Sequence, residues 1–341
     1  MKAITGLTLL ALLGAGSVRA EDMDRRFTLA GEKLSLVNLV GEIRVEAGTG
    51  TEFEIDVAVR GRDAGPNLVR FDQAEGPDAH LFIQYPLKES RTLVYPELGR
   101  GSNSSFAAPR GTNWGDSGTG DGSIFHRGER QVRIHGRGRG FEAWADVTVR
   151  VPSGKKLEIR HGAGRITATN VQTDLLLDSC LGSVEIQGIR GQVSVDTGSG
   201  EVSARDTDGD LAIDTGSGSV TLAQCRGGRV SVDTGSGSVD AEGIEADDLQ
   251  IDTGSGAVTV ALTRMGKGSF VVDTGSGSID FHVPPNASAD IRADTGSGGI
   301  SLDLAQAKLR RHDRDEVAVT LGDGDAAVTL DAGSGSIHIT Q

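Results

Sequence analysis

The amino-acid sequence predicts an all-β fold, a single-chain parallel β-helix (β-solenoid) with rungs about 18 to 21 positions long and one long disordered insertion. Three observations predict it. First, Asp-Thr-Gly-Ser-Gly begins at Asp196, Asp214, Asp233, Asp252, Asp273 and Asp294 and returns as Asp331-Ala-Gly-Ser-Gly. The starts lie 18, 19, 19, 21 and 21 positions apart, then 37. A unit of that size cannot bury an apolar face alone and stacks on copies of itself. Second, the 50 glycines recur with Val, Ile and Leu between them, which marks tight turns joining short strands. Third, apolar and polar residues alternate inside a unit. Val193, Val195, Val202 and Ala204 share one side, as do Leu249, Ile251, Val258 and Val260. Right-handed coiling is expected by analogy with most parallel β-helices.

In chain order, residues 1–20 read as a signal peptide. Lys2 precedes an apolar run from Ile4 to Ala15, and Ser17-Val18-Arg19-Ala20 places small residues where a signal peptidase reads. The run is too short to span a bilayer and no later stretch is apolar enough, so no transmembrane segment is expected. Export to the periplasm follows, with the cell surface or medium as alternatives. Residues 21–86 carry alternating strands, Phe27–Leu29, Leu34–Leu39, Gly41–Val45, Phe53–Val59 and Ala79–Tyr85, expected to form a cap and the opening rungs. From 87 to 140 the pattern is lost. Gly, Ser and Arg dominate, and Arg127, Arg130, Arg133, Arg137 and Arg139 meet one acid, Glu129, so a solvated, flexible insertion is expected.

Order returns over 141–341. Strands are expected at Ala145–Val151 and Lys156–Arg160, followed by degenerate repeats at His161 and Asp178 and then the clean ones. Between Asp294 and Asp331, the stretch 305–312 is expected to form a helical turn or two. Strands 317–321 and 327–330 are then expected to make an unmarked rung between the Asp294 and Asp331 units.

Charge narrows the partners. Lys2 and Arg19 belong to the expected signal peptide, which leaves 32 Lys and Arg against 48 acids beyond Ala20, a net charge of −16. The excess lies in the repeats, since 178–304 hold 20 acids and 7 bases. An acidic surface argues against nucleic acid and anionic lipid as partners. Cys180 and Cys225 fall in different turns more than two units apart, which exceeds the roughly 7 Å a disulfide tolerates between Cα atoms.

Asp-Thr-Gly-Ser also surrounds the catalytic aspartates of pepsin-like proteases. Those enzymes need two aspartates facing each other from separate lobes, whereas stacked copies form one column. Strands about 4.8 Å apart give roughly 0.9 kcal/mol of repulsion per neighbouring pair in water. Turn N–H groups bonding each carboxylate would offset it, as in an Asx turn. The competing reading places Ca2+ between carboxylates, but each unit offers only one at its turn. The single column Thr197, Thr215, Thr234, Thr253, Thr274 and Thr295 lacks the Thr-x-Thr array of ice-binding solenoids. His126, His135, His161, His282, His312 and His338 show no metal-ligand spacing and are read as surface or turn residues, and Trp114 and Trp144 lie outside the clean repeats. No residue is assigned as catalytic, cofactor-binding or metal-binding.

The Asp-Thr-Gly-Ser-Gly-Ser-Val repeat, Val149-Arg-Val-Pro-Ser-Gly-Lys-Lys-Leu-Glu-Ile and Val283-Pro-Pro-Asn-Ala-Ser-Ala-Asp-Ile-Arg-Ala-Asp-Thr-Gly-Ser-Gly together resemble the DUF4097 family of bacterial envelope proteins, which carries an adhesin label. The likeness covers about 141–341 and, more loosely, 24–60. It implies a parallel β-solenoid with no known enzymatic activity. The expected role is an exported, non-enzymatic adhesin or envelope scaffold whose partner is a protein or glycan. The alternative is a carbohydrate-active β-helix enzyme with its site at the 87–140 insertion.

Overall fold

The computed structural model describes residues 23–65, 68–99, 103–108 and 130–341. The expected signal peptide lies outside them, as do Trp114, His126, Arg127 and Glu129. Among the described residues the fold is all-β, with one short 3-10 turn at Pro96–Leu98.

Each regular rung contributes one strand to each of two long parallel faces. On the first face, Val193–Thr197 pairs in register with Asp174–Leu181 before it and Leu211–Thr215 after it. On the second, Val202–Arg205 lies between Val184–Gln187 and Val220–Ala223. The strands turn at Gly-Ser-Gly because φ is positive at the second glycine, +146° at Gly200 and +155° at Gly237. Single parallel bridges Gln172↔Arg190↔Asp208↔Arg226 make a narrow third side. The coil is therefore a three-sided tube whose interior is a set of apolar columns.

Those columns contain the residues whose alternation predicted them. Val193, Val195, Val202, Ala204, Leu249, Ile251, Val258 and Val260 are all buried. The third corner is filled by Val171, Ile189, Thr207, Cys225 and Ile244 in successive rungs, all buried. Each large aliphatic chain buried this way contributes about 1.5–3 kcal/mol, so stability belongs to the stack.

At the N-terminal end, Lys33–Val40 and Ile43–Ala47 form a rung that pairs with Lys156–Ala163 and Ile166–Thr169. Beyond it, Asp78–Gln84 continues the first face and Trp144–Val151 the second. The antiparallel strands Arg70–Ala74, Phe53–Arg60 and Asp24–Leu29 then close the end. Loop composition had predicted no regular structure over 87–140, yet Thr92–Val94, Asn103–Ala108 and Arg130–His135 form a separate three-stranded sheet. Burial of Leu93, Val94, Val132 and Ile134 explains it: these apolar side chains in two short strands suffice to anchor them.

The C-terminal end departs from chain order. Ala326–Ala332 and Ile337–Thr340, the last rung in sequence, lie between the Asp273 rung and the Asp294 rung on both faces. The expected unmarked rung does not form. Glu316–Leu321 instead runs antiparallel along the far edge of Ala289–Thr295, burying Val317, Val319 and Leu321, and covers the end of the first face. The stretch expected to be helical is a strand, Lys308–His312, paired antiparallel with it. A two-residue apolar alternation in Val317-Ala-Val-Thr-Leu321 suits a half-buried capping strand, and its neighbour pairs along its open edge.

Candidate functional site

In the strand Val-Ser-Val-Asp-Thr the aspartate points out and the threonine in. Backbone pairing brings Asp178, Asp196, Asp214, Asp233, Asp252, Asp273, Asp331 and Asp294 into one column, in that order. The first turn glycines of the clean repeats do not supply the expected Asx-turn bonds. The first turn glycine donates instead to the preceding rung, as in Gly216 N–H to Thr197 O at 3.0 Å and Gly254 N–H to Thr234 O at 3.1 Å. The second donates to the rung on the other side, as in Gly218 N–H to Ser236 O at 3.0 Å. With those donors engaged, repulsion shows in the acids themselves. Burial, with Asp214 and Asp252 on either side, raises the Asp233 carboxyl, and burial with Asp331 and Asp252 raises that of Asp273. Among the described residues no group of three or more His, Cys, Asp and Glu is placed to share a metal ion.

The threonines line the inside of the same edge. Thr234, Thr253, Thr274 and Thr295 donate to the carbonyls of Gly218, Gly237, Gly256 and Gly335 in the adjacent rung, at 3.2, 3.0, 3.0 and 2.7 Å.

Two residues before each aspartate, a second outward column forms a floor. It reads Glu158, Leu176, Ser194, Ala212, Ser231 and Gln250 along the stack. Because four of these are small or apolar between longer polar neighbours, the first face is hollow there. Two adjoining depressions of about 430 and 420 Å³ share Glu158, Leu176, Ser194 and Ala212. One wall carries Asp178, Asp196, Asp214 and Asp233, and the other carries Lys33, Lys156, Asp174, Asp210 and Arg229. Leu176 in the floor is 44% exposed. The end of the hollow is an ion cluster around the buried Glu158, which pairs with both Lys33 and Arg160. A separate cleft of about 680 Å³ runs between the turn glycines Gly164, Gly182 and Gly200 and the small sheet, and includes Tyr95, Glu97 and Arg165.

The most perturbed ionisable groups lie inside the fold. His161, read from sequence as a surface or turn residue, is fully buried in the threonine column. Its Nδ1 lies 3.1 Å from the Asn38 carbonyl and its Nε2 2.9 Å from that of Gly41. Burial outweighs these carbonyls and lowers its pKa from 6.5 to about 4. The Tyr85 hydroxyl, 2.9 Å from Asn38 Oδ1 and from the Val40 carbonyl, is raised by burial. Both cysteines are free, and burial pushes both thiols up. His282 and His338 each bond one hydroxyl, Thr340 Oγ1 at 2.9 Å and Ser301 Oγ at 2.7 Å.

The family description Toastrack DUF4097 matches residues 129–340, more than half of the chain. The chain belongs to the DUF4097 family. Among solved structures, this DUF4097 chain is similar to a "putative cell adhesion protein" from Clostridium sporogenes, with 13% identity, 93% of this chain and 98% of that one covered, and a TM-score of 0.24. A "putative adhesin" from Bacteroides fragilis has 14% identity, coverage of 93% and 95%, and a TM-score of 0.37. A "putative lipid binding protein" from Parabacteroides distasonis has 10% identity, coverage of 93% and 96%, and a TM-score of 0.40. No curated protein matches this chain. No helix among the described residues is long and apolar enough to cross a membrane.

Proposed function

We propose that this chain is an exported, non-enzymatic binding protein that holds an elongated component of the cell envelope or surface, a glycan or an extended peptide, in the hollow of its first face. The observation that carries the reading is the floor Leu176, Ser194, Ala212 and Ser231. It crosses four rungs, roughly 14 Å at one strand spacing per rung. It offers apolar contact at Leu176 while its walls supply carboxylates on one side and interleaved cations and carboxylates on the other. That mixture suits a ligand held by edge hydrogen bonds over an apolar contact. The groups whose chemistry is most altered, His161, Tyr85, Tyr95 and Cys180, owe their perturbation first to burial.

Filling the hollow tests this. Ser194→Trp and Ala212→Trp project from the outer face, so both should leave the melting temperature unchanged while saturable binding to isolated envelope, or to glycan released from it, weakens at least tenfold. Unchanged binding in both variants would remove the hollow from the mechanism, and shortening of the glycan by the wild-type chain would favour an enzyme. Export is tested on intact cells: digestion by external protease supports the cell surface, while protection with release in the periplasmic fraction excludes it.

A further inference from the structure

The strongest unexplained feature of the molecule is the order of its last rungs. The rung 326–340 lies parallel and in register between two rungs that precede it in sequence, pairing Val271↔Thr329 and Val272↔Leu330 on one side and Arg292↔Thr329 and Ala293↔Leu330 on the other. We propose that this rung is exchangeable between two copies of the chain, so that the last rung of one copy fills the slot of another.

Three observations carry the inference. All the strand pairing that holds the rung is of the inter-rung kind, and the slot is built from the same repeat as its occupant. A second copy's rung would make the same ladder, the same Thr295 to Gly335 bond and the same aspartate register. The two forms therefore differ only in the connection and in the entropy of association, which is the condition for a low-cost swap. The connection is short and simple. The segment Gly322 to Asp325 passes from the capping strand Glu316–Leu321 on one side of Ala289–Thr295 to the rung on its other side. Gly322 and Gly324 have φ of 56° and 75°. The turn is fastened to the strand it crosses by the Ser288 hydroxyl, which accepts from Asp323 N–H at 3.1 Å and Asp325 N–H at 3.2 Å. Opened out, a segment of that length reaches about 13 Å, enough to pass the rung to a neighbour instead of folding it back.

The slot can also close when its occupant leaves. In the absence of 326–340 the Asp273 and Asp294 rungs match directly. Phe270 would cover Ile291, Val272 Ala293, Ile279 Ile300 and Phe281 Leu302, each pair being neighbours of one residue of the inserted rung. Release of the rung thus leaves the apolar columns covered, and the open state is accessible during folding.

Single cysteines distinguish the forms, in a background with Cys180→Ser and Cys225→Ala. Val271 and Thr329 are opposed on adjacent parallel strands, about 4.8 Å apart and within disulfide reach, while Val271 and Arg292 are two strands apart and beyond it. Full-length Val271→Cys and full-length Thr329→Cys are unfolded together in urea, refolded at high concentration and oxidised. Exchange predicts a disulfide-linked heterodimer at least tenfold more abundant than from a Val271→Cys and Arg292→Cys mixture. Equal yields from the two mixtures would overturn the proposal. The double variant Val271→Cys/Thr329→Cys must also close an internal disulfide in its monomer; failure to do so would overturn the rung order on which the proposal rests.

Discussion

At Gly182, φ is +130° and an added Cβ would sit 2.1 Å from the backbone oxygen of Gly164, in the turn of the preceding rung. At Gly154, φ is +79° and nothing lies within 4 Å. Gly154→Ala should therefore cost only left-handed strain, about 1–2 kcal/mol. Gly182→Ala meets a carbonyl that cannot move without shifting a rung, and should cost about 4 kcal/mol or more. Urea midpoints of the two variants measured side by side check the difference, and equal shifts would contradict it. His161 makes a second residue-scale prediction. Its folded pKa, about 4, lies below the ordinary 6.5, so its neutral form is the one that folding favours. Its contribution is complete above pH 6.5 and is lost as pH falls toward 4, by about 3 kcal/mol in all. Urea unfolding from pH 7 to pH 4 should show this slope, and His161→Gln should flatten it even while lowering stability at pH 7. Sequence reading placed His161 with the other histidines, at the surface or in a turn. It missed the depth, since the alternation that marks Thr197 as inward in clean repeats is blurred where His161 takes that place beside Asn38.

Within an element, the repeat was legible because its period repeats exactly where its chemistry does. Asp-Thr fixes the end of a strand, Gly-Ser-Gly the turn, and the flanking valines the inward face; Val193 to Ala204 lie where alternation places them. The direction of the turn amides was not legible. A single unit offers Asp an Asx turn, and only stacking shows that the neighbouring rungs take the glycine N–H groups first. Asp233 is left between the like charges of Asp214 and Asp252, and that is testable. The Asp233 carboxyl is raised, so whatever stability its protonated form confers is present at low pH and lost as pH rises through its folded pKa. At neutral pH, Asp233→Asn should accordingly stabilise the chain at low salt, by up to about 1 kcal/mol for so exposed a group. The gain should shrink in high salt, where the column is screened. A melting temperature that falls on substitution would instead mean that the carboxylate holds a cation. Addition of a chelator to the wild-type chain, lowering its melting temperature, would identify that cation as divalent. The hollow was invisible from sequence for a related reason: it exists only because Leu176, Ser194, Ala212 and Ser231, each a full turn of the coil from the next, share a column.

For the whole molecule, a linear reading assumes that rungs stack in the order in which they are written. That holds from Lys156 to His282 and fails at both ends. Every rung repeats the same strand, Gly-Ser-Gly turn and strand, so nothing in the Asp294 or Asp331 repeat says which one stacks on Asp273. What decides it is the cap: Val317, Val319 and Leu321 cover Ala289–Thr295, leaving its other edge for the last rung. Two deletions separate local from global consequences of this order. Excising 196–213 removes one full turn of the coil and rejoins Val195 to Asp214, at the point where Asp196 stood. Nearest-neighbour stacking is preserved, so the shortened chain should unfold in one transition with an m-value lower by about one part in twenty. Deleting 322–341 removes a similar length of chain but empties the slot. The Asp273 and Asp294 rungs must then meet each other, and the capping strand must follow. Stability should fall further than for the excised middle rung, because Phe270, Phe281 and their partners meet in pairings the intact fold does not use. If the truncated chain instead matches the internal deletion in midpoint and m-value, the last rung adds no more than any other, and the interleaved end has no special hold on the stack.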